Sequence, residues 1–192
     1  MMYLHGLRIV LLLTLFALCA SCSVPPKPLT PPDSDVPWSY EPDAVVLRIA
    51  ASDRLNEHEG NPSSLMLCVY ELASRGGIDT RLHDPDGFAE LLTCGRFDDS
   101  VVTSQRIFSD PAQVQQLFLA REEGVRWVAV IAGYFHGTPA HSAYIVPVSV
   151  RTVVEGRIPF FKTEHREPGQ TIIPVRLGPS EILREKAVPS DN

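Results

Sequence analysis

The sequence predicts a mainly β protein, a sandwich of two sheets that carries one short inserted helix. Short apolar runs with a period of two recur along the chain, which indicates strands. The 192 residues include 17 prolines, and these interrupt the sequence too often for long helices. With 44% apolar and 21% charged residues, the composition is that of a folded domain and excludes disordered and multi-pass membrane proteins.

The charge balance argues against nucleic acid as a partner. The chain has 17 basic and 23 acidic residues, a net charge of −6, and its basic residues form no cluster. A protein that binds phosphate backbones needs a basic surface. We therefore predict no nucleic-acid binding.

Residues 1–21 predict a lipoprotein signal peptide. The apolar run at residues 9–20 falls well short of the roughly 20 residues that span a bilayer. Cys22 follows the small residues Ala20 and Ser21, as the acylated cysteine of a bacterial lipobox does, whereas Cys19 follows a leucine. We predict cleavage before Cys22 and its acylation; a soluble secreted protein cut near the same point is the alternative.

An acylated Cys22 fixes the compartment of the mature protein. More than one acyl chain holds a protein stably on a bilayer, and Ser23 after the cysteine is typical of outer-membrane lipoproteins. We predict a lipid anchor on the periplasmic face of the outer membrane. Residues 22–43, with seven prolines, predict an extended tether, and residues 44–192 the folded domain.

Seven segments predict strands, at residues 45–49, 65–72, 101–108, 113–119, 125–135, 143–151 and 170–177. The segment 65–72 is apolar on both faces, which indicates a central strand. The segment 113–123 fits either a helix or a strand, and we favour the strand.

The predicted helix covers residues 84–92. Asp84 is a favourable N-cap, Pro85 fits the first helical position, and Phe88 and Leu91 fall on one face. A helix this short needs a surface to lie on.

The sequence contains no recognisable catalytic motif. The nearest histidine pair, His136 and His141, lies in a Gly/Pro turn without a cysteine or carboxylate close in sequence, so we expect surface polarity and no metal site. No nucleophile elbow, phosphate-binding loop or dinucleotide fingerprint occurs. We therefore predict no enzyme, no catalytic residue and no cofactor.

Two cysteines remain once Cys22 is acylated and Cys19 is removed with the signal peptide. In an oxidising compartment Cys68 and Cys94 are expected to form a disulfide. Two buried free thiols are the alternative, since cysteine is also a common small core residue.

The order of these features resembles the outer-membrane lipoproteins of type VI secretion systems, the TssJ, SciN or VasD family. The resemblance includes the lipobox and tether and covers essentially the whole mature chain. It is carried by residues 45–51, Leu55 and Asn56, and residues 67–72, 86–92 and 127–135. The resemblance implies a transthyretin-like sandwich with a helical insertion and a structural function.

The resemblance also implies the partners. A member of this family binds the periplasmic C-terminal domain of the inner-membrane protein TssM, and through it joins TssL in a membrane complex. The contact is attributed to the loop between the first two strands, here residues 52–64. The expected partner-binding residues are Asp53, Arg54, Leu55, Asn56, Glu57 and Glu59.

Within this loop Leu55 is the expected anchor, because it is the only large apolar residue among charged neighbours. The alternative is that Leu55 packs on its own sandwich; the contact is then expected on the helix or on the turn from Phe135 to His141. For the whole protein, the alternative is a pilotin-like or assembly lipoprotein of another envelope machine, which a sandwich fold alone does not exclude.

Overall fold

The structure, a computed structural model, describes residues 35–155 and 163–183. The predicted signal peptide, Cys22 and most of the tether lie outside these residues. Ten strands are present in the described ranges: β1 (Glu41–Ala51), β2 (Leu65–Leu72), β3 (Val101–Ser109), β4 (Val114–Arg121), β5 (Trp127–Ala132), β6 (Ala143–Pro147), β7 (Val150–Glu155), β8 (Thr163–Pro168), β9 (Thr171–Leu177) and β10 (Ile182–Leu183). Three short helices join them: α1 (Gly76–Leu82), α2 (Pro85–Leu91) and α3 (Pro139–Ser142).

Two four-stranded sheets form the sandwich. The first sheet has the strand order β10-β9-β1-β4 and the second β3-β2-β5-β6, while β7 and β8 pair with each other. Neighbouring strands are antiparallel except β1 and β9, which run parallel with Val45 opposite Thr171. The mainly β, two-sheet class predicted from the sequence is confirmed.

The core between the sheets explains the period-two patterns. Alternate residues of β1 and β9 face alternate residues of β2 and β5, and the shared cluster includes Val45, Leu47, Ile49, Leu65, Leu67, Val69, Val128, Val130, Ile173 and Val175. Each large apolar side chain buried in this way contributes about 2 kcal/mol. This burial fixes the register of the strands, because a one-residue shift would turn the apolar face outward.

The outer face of the second sheet is also buried, by α1 and α2. Cys68, Tyr70 and Leu72 on that face of β2 pack with Ile78 of α1 and Leu91 of α2. The prediction that β2 is a central, two-faced strand is therefore confirmed.

Two contacts join β2 to α2 and the residues after it. The Tyr70 hydroxyl donates a hydrogen bond of 2.6 Å to the carbonyl of Leu91, and burial raises the pKa of Tyr70 to about 12. The structure also joins Cys68 and Cys94 by a disulfide, with their Cα atoms 5.0 Å apart.

Helix α2 and strand β4 form where the sequence predicts them. The Asp84 carboxylate accepts a hydrogen bond of 2.8 Å from the Gly87 N–H and so caps α2. For the ambiguous segment the strand is the correct interpretation, since Val114–Arg121 pairs with β1 along its length.

Helix α1 was not expected, because it begins with two glycines, which are poor helix formers. Packing requires the second of them: a Cβ at Gly77 would overlap the carboxylate of Asp98 and lie 3.0 Å from the Ser100 hydroxyl oxygen. The insertion therefore contains two helices where the sequence predicted one.

For the strand predicted at residues 143–151, the predicted extent is wrong. The segment forms two strands in different sheets, because β6 ends at Pro147 and the buried Val148 turns into the core. The strand predicted at 125–135 is shorter, and β5 ends at Ala132.

The residues before the predicted domain boundary are part of the fold. Strand β1 begins at Glu41, Val36 is buried, and Trp38 packs against the core cluster, whereas Tyr40 stays exposed. The last residues of the segment predicted as a tether therefore lie on the sandwich.

Candidate partner-binding surface

The loop that joins β1 to β2 ends in a narrow hairpin tip. The N–H of His58 donates to the carbonyl of Asn61 at 3.0 Å, and the N–H of Asn61 donates back at 2.9 Å. The two residues between them have positive φ angles, 50° for Glu59 and 78° for Gly60. This is the backbone of a type I′ turn, which favours glycine or another residue that tolerates a positive φ.

The base of the loop is fixed to the end of the sandwich. The N–H of Ser52 donates to the carbonyl of Leu177 at 2.8 Å, and that of Glu57 to the carbonyl of Pro179 at 3.0 Å. Between them Leu55 is fully buried in the core cluster. The loop is therefore a packed part of the domain.

Asn56 connects this loop to the turn that follows β5. Its Nδ2 donates to the Ser63 hydroxyl at 3.1 Å and to the Ser64 carbonyl at 3.2 Å. Its Oδ1 accepts a hydrogen bond of 2.8 Å from the N–H of Phe135. With a φ of 47°, the residue adopts a left-handed conformation that asparagine tolerates better than most residues.

The turn after β5 is held by the residue before Phe135. The Tyr134 ring lies in the core and its hydroxyl donates to the carbonyl of Glu181 at 2.8 Å; burial raises the pKa of Tyr134. Gly137 allows the chain to turn closely, since a Cβ there would lie 2.7 Å from that of Tyr134. These contacts leave Phe135 on the outside.

Three rings from the loop and the turn form one exposed aromatic group, which we call the 58/135/136 patch: His58, Phe135 and His136. The ring centroids of His58 and Phe135 are 3.9 Å apart, and Phe135 is 64% exposed. His58 Nδ1 lies 2.8 Å from His136 Nε2, so one imidazole donates and the other accepts. The three rings therefore contact one another at the surface of the domain.

The loop that carries His58 also carries charged residues. Arg54 makes two hydrogen bonds to the carboxylate of Glu57, and this contact holds the pKa of the Glu57 carboxyl below its ordinary value. Asp53 and Glu59 are exposed. Since Arg54 offsets Glu57, the loop presents a net negative charge beside an aromatic centre.

The six residues predicted for partner binding divide into exposed and buried side chains. Asp53, Arg54 and Glu59 are exposed and Glu57 is partly exposed, so these side chains are available. The expected anchor role of Leu55 is wrong, because its side chain is fully buried and the sandwich already uses it.

Asn56 is also buried, with 9% of its surface exposed, and its amide is occupied by the loop and by Phe135. Asn56 therefore stabilises the surface by joining the loop to the turn after β5.

The sequence indicates only part of this patch. It places Phe135 at the end of a strand and in the turn to His141, which is the alternative contact to Leu55, and it places His58 in the polar loop without connecting the two. The available signal was Gly133, which ends the apolar run just before Tyr134 and Phe135. His136 contacts His58 and not His141, whose Nδ1 lies 3.3 Å from the Thr138 hydroxyl. Among the described residues no three histidine, cysteine or acidic side chains are grouped to hold a metal ion.

A family model for type VI secretion lipoproteins, described as VasD, EvfM and TssJ and named SciN, matches residues 43–167 of the chain. This match covers the loop, the patch, the whole second sheet and, of the first sheet, β4 and most of β1, whereas β9 and β10 lie beyond it. The chain belongs to the type VI secretion lipoprotein family. Type VI secretion lipoproteins are not an enzyme family. They are membrane-bound components of a secretion system.

Solved structures with a similar fold come from the same secretion system. A chain of the structure of the T6SS protein TssM C-terminal domain from EAEC aligns with a TM-score of 0.54 and 12% identity, over 74% of this chain and 98% of that one. Serratia marcescens Lip, a membrane-bound component of the type VI secretion system, aligns with a TM-score of 0.51 and 18% identity, over 78% and 99%. At such identities the likeness establishes the fold of this lipoprotein.

No curated protein matches this lipoprotein in sequence. Among the helices in the described ranges, none combines the length and apolar character that a membrane span requires.

Proposed function

We propose that this lipoprotein is the outer-membrane anchor of a type VI secretion membrane complex, and that it binds the periplasmic C-terminal domain of TssM through the 58/135/136 patch and its charged surroundings. The family match over residues 43–167 carries the proposal. TssM as the partner is also supported by the solved structures of similar fold, which include the TssM C-terminal domain and a type VI membrane complex. TssL is reached indirectly, through TssM.

The anchor of the interface is Phe135. An exposed aromatic side chain within a polar rim is the usual composition of an interaction hot spot. Stacking on His58 and the hydrogen bond from its N–H to Asn56 already order this residue. A partner that covers Phe135 therefore loses little conformational entropy by fixing its side chain.

The rim charges steer the encounter. Asp53 and Glu59 are exposed acidic side chains of the loop that carries His58, and they favour a basic surface on the partner. Charges of this kind mainly change the association rate and its dependence on salt.

Membrane attachment requires Cys22. Acylation after cleavage before this residue places the protein on the inner leaflet of the outer membrane, with residues 23–34 as the link to the domain. The protein then turns over no substrate and serves as a fixed point for its partner.

Binding to the purified TssM periplasmic domain, measured by isothermal titration calorimetry with the full chain in detergent, tests the interface. Phe135→Ala is expected to raise Kd about 30-fold, the equivalent of about 2 kcal/mol. Phe108→Ala is the matched control, since Phe108 is similarly exposed, at 59%, on β3. An unchanged Kd for Phe135→Ala, with unchanged circular dichroism, would exclude the patch as the contact.

Fractionation of the envelope tests the anchor separately. Cys22→Ser is expected to move the protein from the outer membrane to the soluble periplasmic fraction. Cys19→Ser leaves Cys22 in place and is expected to change nothing. Sedimentation of the Cys22→Ser protein with the outer membrane would overturn this part of the proposal.

A further inference from the structure

The two sheets leave an open cleft on one side of the sandwich, away from the 58/135/136 patch. Strand β3 ends one sheet and β4 ends the other, and residues 110–113 join the two strands directly. Near this connection Gln115 Nε2 donates to the carbonyl of Phe108 at 3.1 Å and bridges the strands. Toward the other end a cleft of about 270 Å³ separates them.

A buried carboxylate without a full set of partners lies in this cleft. Glu71 of β2 is only 3% exposed and lines the cleft together with Thr103 of β3 and Phe118 of β4. Its Oε2 accepts one long hydrogen bond of 3.4 Å from the N–H of Glu122, and its Oε1 has no partner among the described residues. Burying such a group without a hydrogen bond is costly.

The charges around Glu71 do not satisfy it from within the chain. Arg121 of β4 acts on it electrostatically, but no hydrogen bond joins the two side chains: Nη2 of Arg121 donates to Glu41 and to the carbonyl of Ser39, and its buried Nε and Nη1 have no partner among the described residues. Glu122 adds a second carboxylate to the lining. From β3 the lining residues are neutral: Thr103, Ser104 and Gln105. The cleft is therefore electronegative, with an unpaired acceptor at its base.

We propose that the cleft between β3 and β4 binds an extended cationic peptide segment, which adds to a sheet edge and places one lysine or arginine side chain against Glu71. Edge strands offer unpaired main-chain groups to an added strand. The apolar lining from Val69 and Phe118 suits the stem of a long cationic side chain, and Glu71 receives its charged end.

A second copy of the chain does not fit this description. The chain has a net charge of −6, and the two strands that border the cleft, β3 and β4, provide one exposed cation, Arg106, because Arg121 is buried. Charge complementarity therefore favours a basic partner segment.

The probe is the peptide acetyl-VKVKVKV-amide, compared with acetyl-VEVEVEV-amide. Alternate side chains of a strand face the same way, so every in-phase register of the lysine peptide presents an ammonium group to Glu71. Fluorescence anisotropy of the labelled peptides with the full chain in detergent is expected to detect the lysine peptide and not the glutamate peptide. No binding of the lysine peptide at millimolar protein would overturn the proposal, as would equal binding of both peptides.

Two pairs of variants locate the site. Glu71→Gln is expected to raise the Kd of the lysine peptide about tenfold, while Glu164→Gln, the same change on the exposed end of β8, leaves it within about twofold. Thr103→Lys places an ammonium group opposite Glu71, its paired residue on β2, and is expected to abolish binding by occupying the carboxylate. Val102→Lys makes the same charge change on the opposite face of β3 and is the control.

Proton release supplies a second readout. Burial raises the pKa of Glu71 to about 7, and a bound cation favours the ionised carboxylate and so releases a proton from it near neutral pH. Calorimetry in buffers of different ionisation enthalpy is expected to give a net proton release for the parent and none for Glu71→Gln. If Glu71→Gln and Thr103→Lys both leave the Kd of the lysine peptide unchanged, the cleft is not its binding site. Self-association of the chain in place of peptide binding would also overturn the proposal. Either result leaves the proposed function at the patch unaffected.

Discussion

The side-chain oxygen of Asn56 accepts a hydrogen bond of 2.8 Å from the backbone N–H of Phe135. One contact thus joins the β1–β2 loop to the turn after β5, two segments about 80 residues apart in sequence. The same side chain also holds the two ends of its own loop together. The position of the exposed Phe135 ring therefore depends on a buried asparagine.

Asn56→Ala is expected to lower the free energy of unfolding by about 2 kcal/mol, because it leaves buried hydrogen-bonding groups unpaired and puts alanine at a positive φ. Urea denaturation followed by circular dichroism measures this change. Asn61→Ala is the control, since the Asn61 amide makes one exposed hydrogen bond to Glu59. Equal effects of the two variants would show that the Asn56 contacts do not stabilise the fold.

Substitution of Leu55 is expected to reduce stability, whereas substitution of Phe135 is expected to affect partner binding with little change in stability. Leu55→Ala removes a fully buried side chain and should lower the free energy of unfolding by about 2–5 kcal/mol. Phe135→Ala removes an exposed ring and should change it by about 0.5 kcal/mol or less. Thermal denaturation of both variants checks the difference; a stable Leu55→Ala protein would contradict the burial described for this residue.

Sequence patterns predicted the parts of the fold whose side chains alternate. Strand β2 is apolar on both faces, and it is central with a core on each side. The cap from Asp84 also identifies α2 correctly. Helix α1 was not predictable in this way, because Gly77 is selected by the close approach of Asp98 and not by helix propensity.

The candidate surface was only partly predictable, for a different physical reason. A loop has no periodicity, so nothing in residues 52–64 indicates which way Leu55 points. The exposed charges of the loop were readable because charged side chains stay in water. The contact between His58 and Phe135 joins distant segments, and only the folded chain brings them together.

The disulfide is expected to stabilise the insertion that contains α1 and α2. Its loop spans 26 residues, for which the loop-entropy model gives about 3.5 kcal/mol. The double variant Cys68→Ala with Cys94→Ala should lose about this amount in urea denaturation. Mass spectrometry of unreduced peptides from periplasmic protein should recover the cross-linked pair; two alkylatable thiols would instead identify separate buried cysteines.

Glu71 is expected to make the domain less stable as the pH rises. Its carboxyl is deeply buried, which raises its pKa from 4.5 to about 7, and the hydrogen bond from Glu122 N–H offsets only part of this effect. Between these two values the folded state holds more protons than the unfolded state, so the free energy of unfolding falls with pH there. The fall begins near pH 4.5, levels off above pH 7, and amounts to roughly 3 kcal/mol at most.

Glu71→Gln removes this titration, so the variant should show a flatter stability profile and should exceed the parent most clearly at pH 8. Urea denaturation at pH 5, 6, 7 and 8 measures both profiles, with Glu164→Gln as the exposed control. Parallel profiles for parent and Glu71→Gln would mean that the carboxyl ionises in the folded state as easily as in the unfolded chain. In that case Glu71 would already have a compensating partner, and the cleft between β3 and β4 would have no unpaired acceptor to offer.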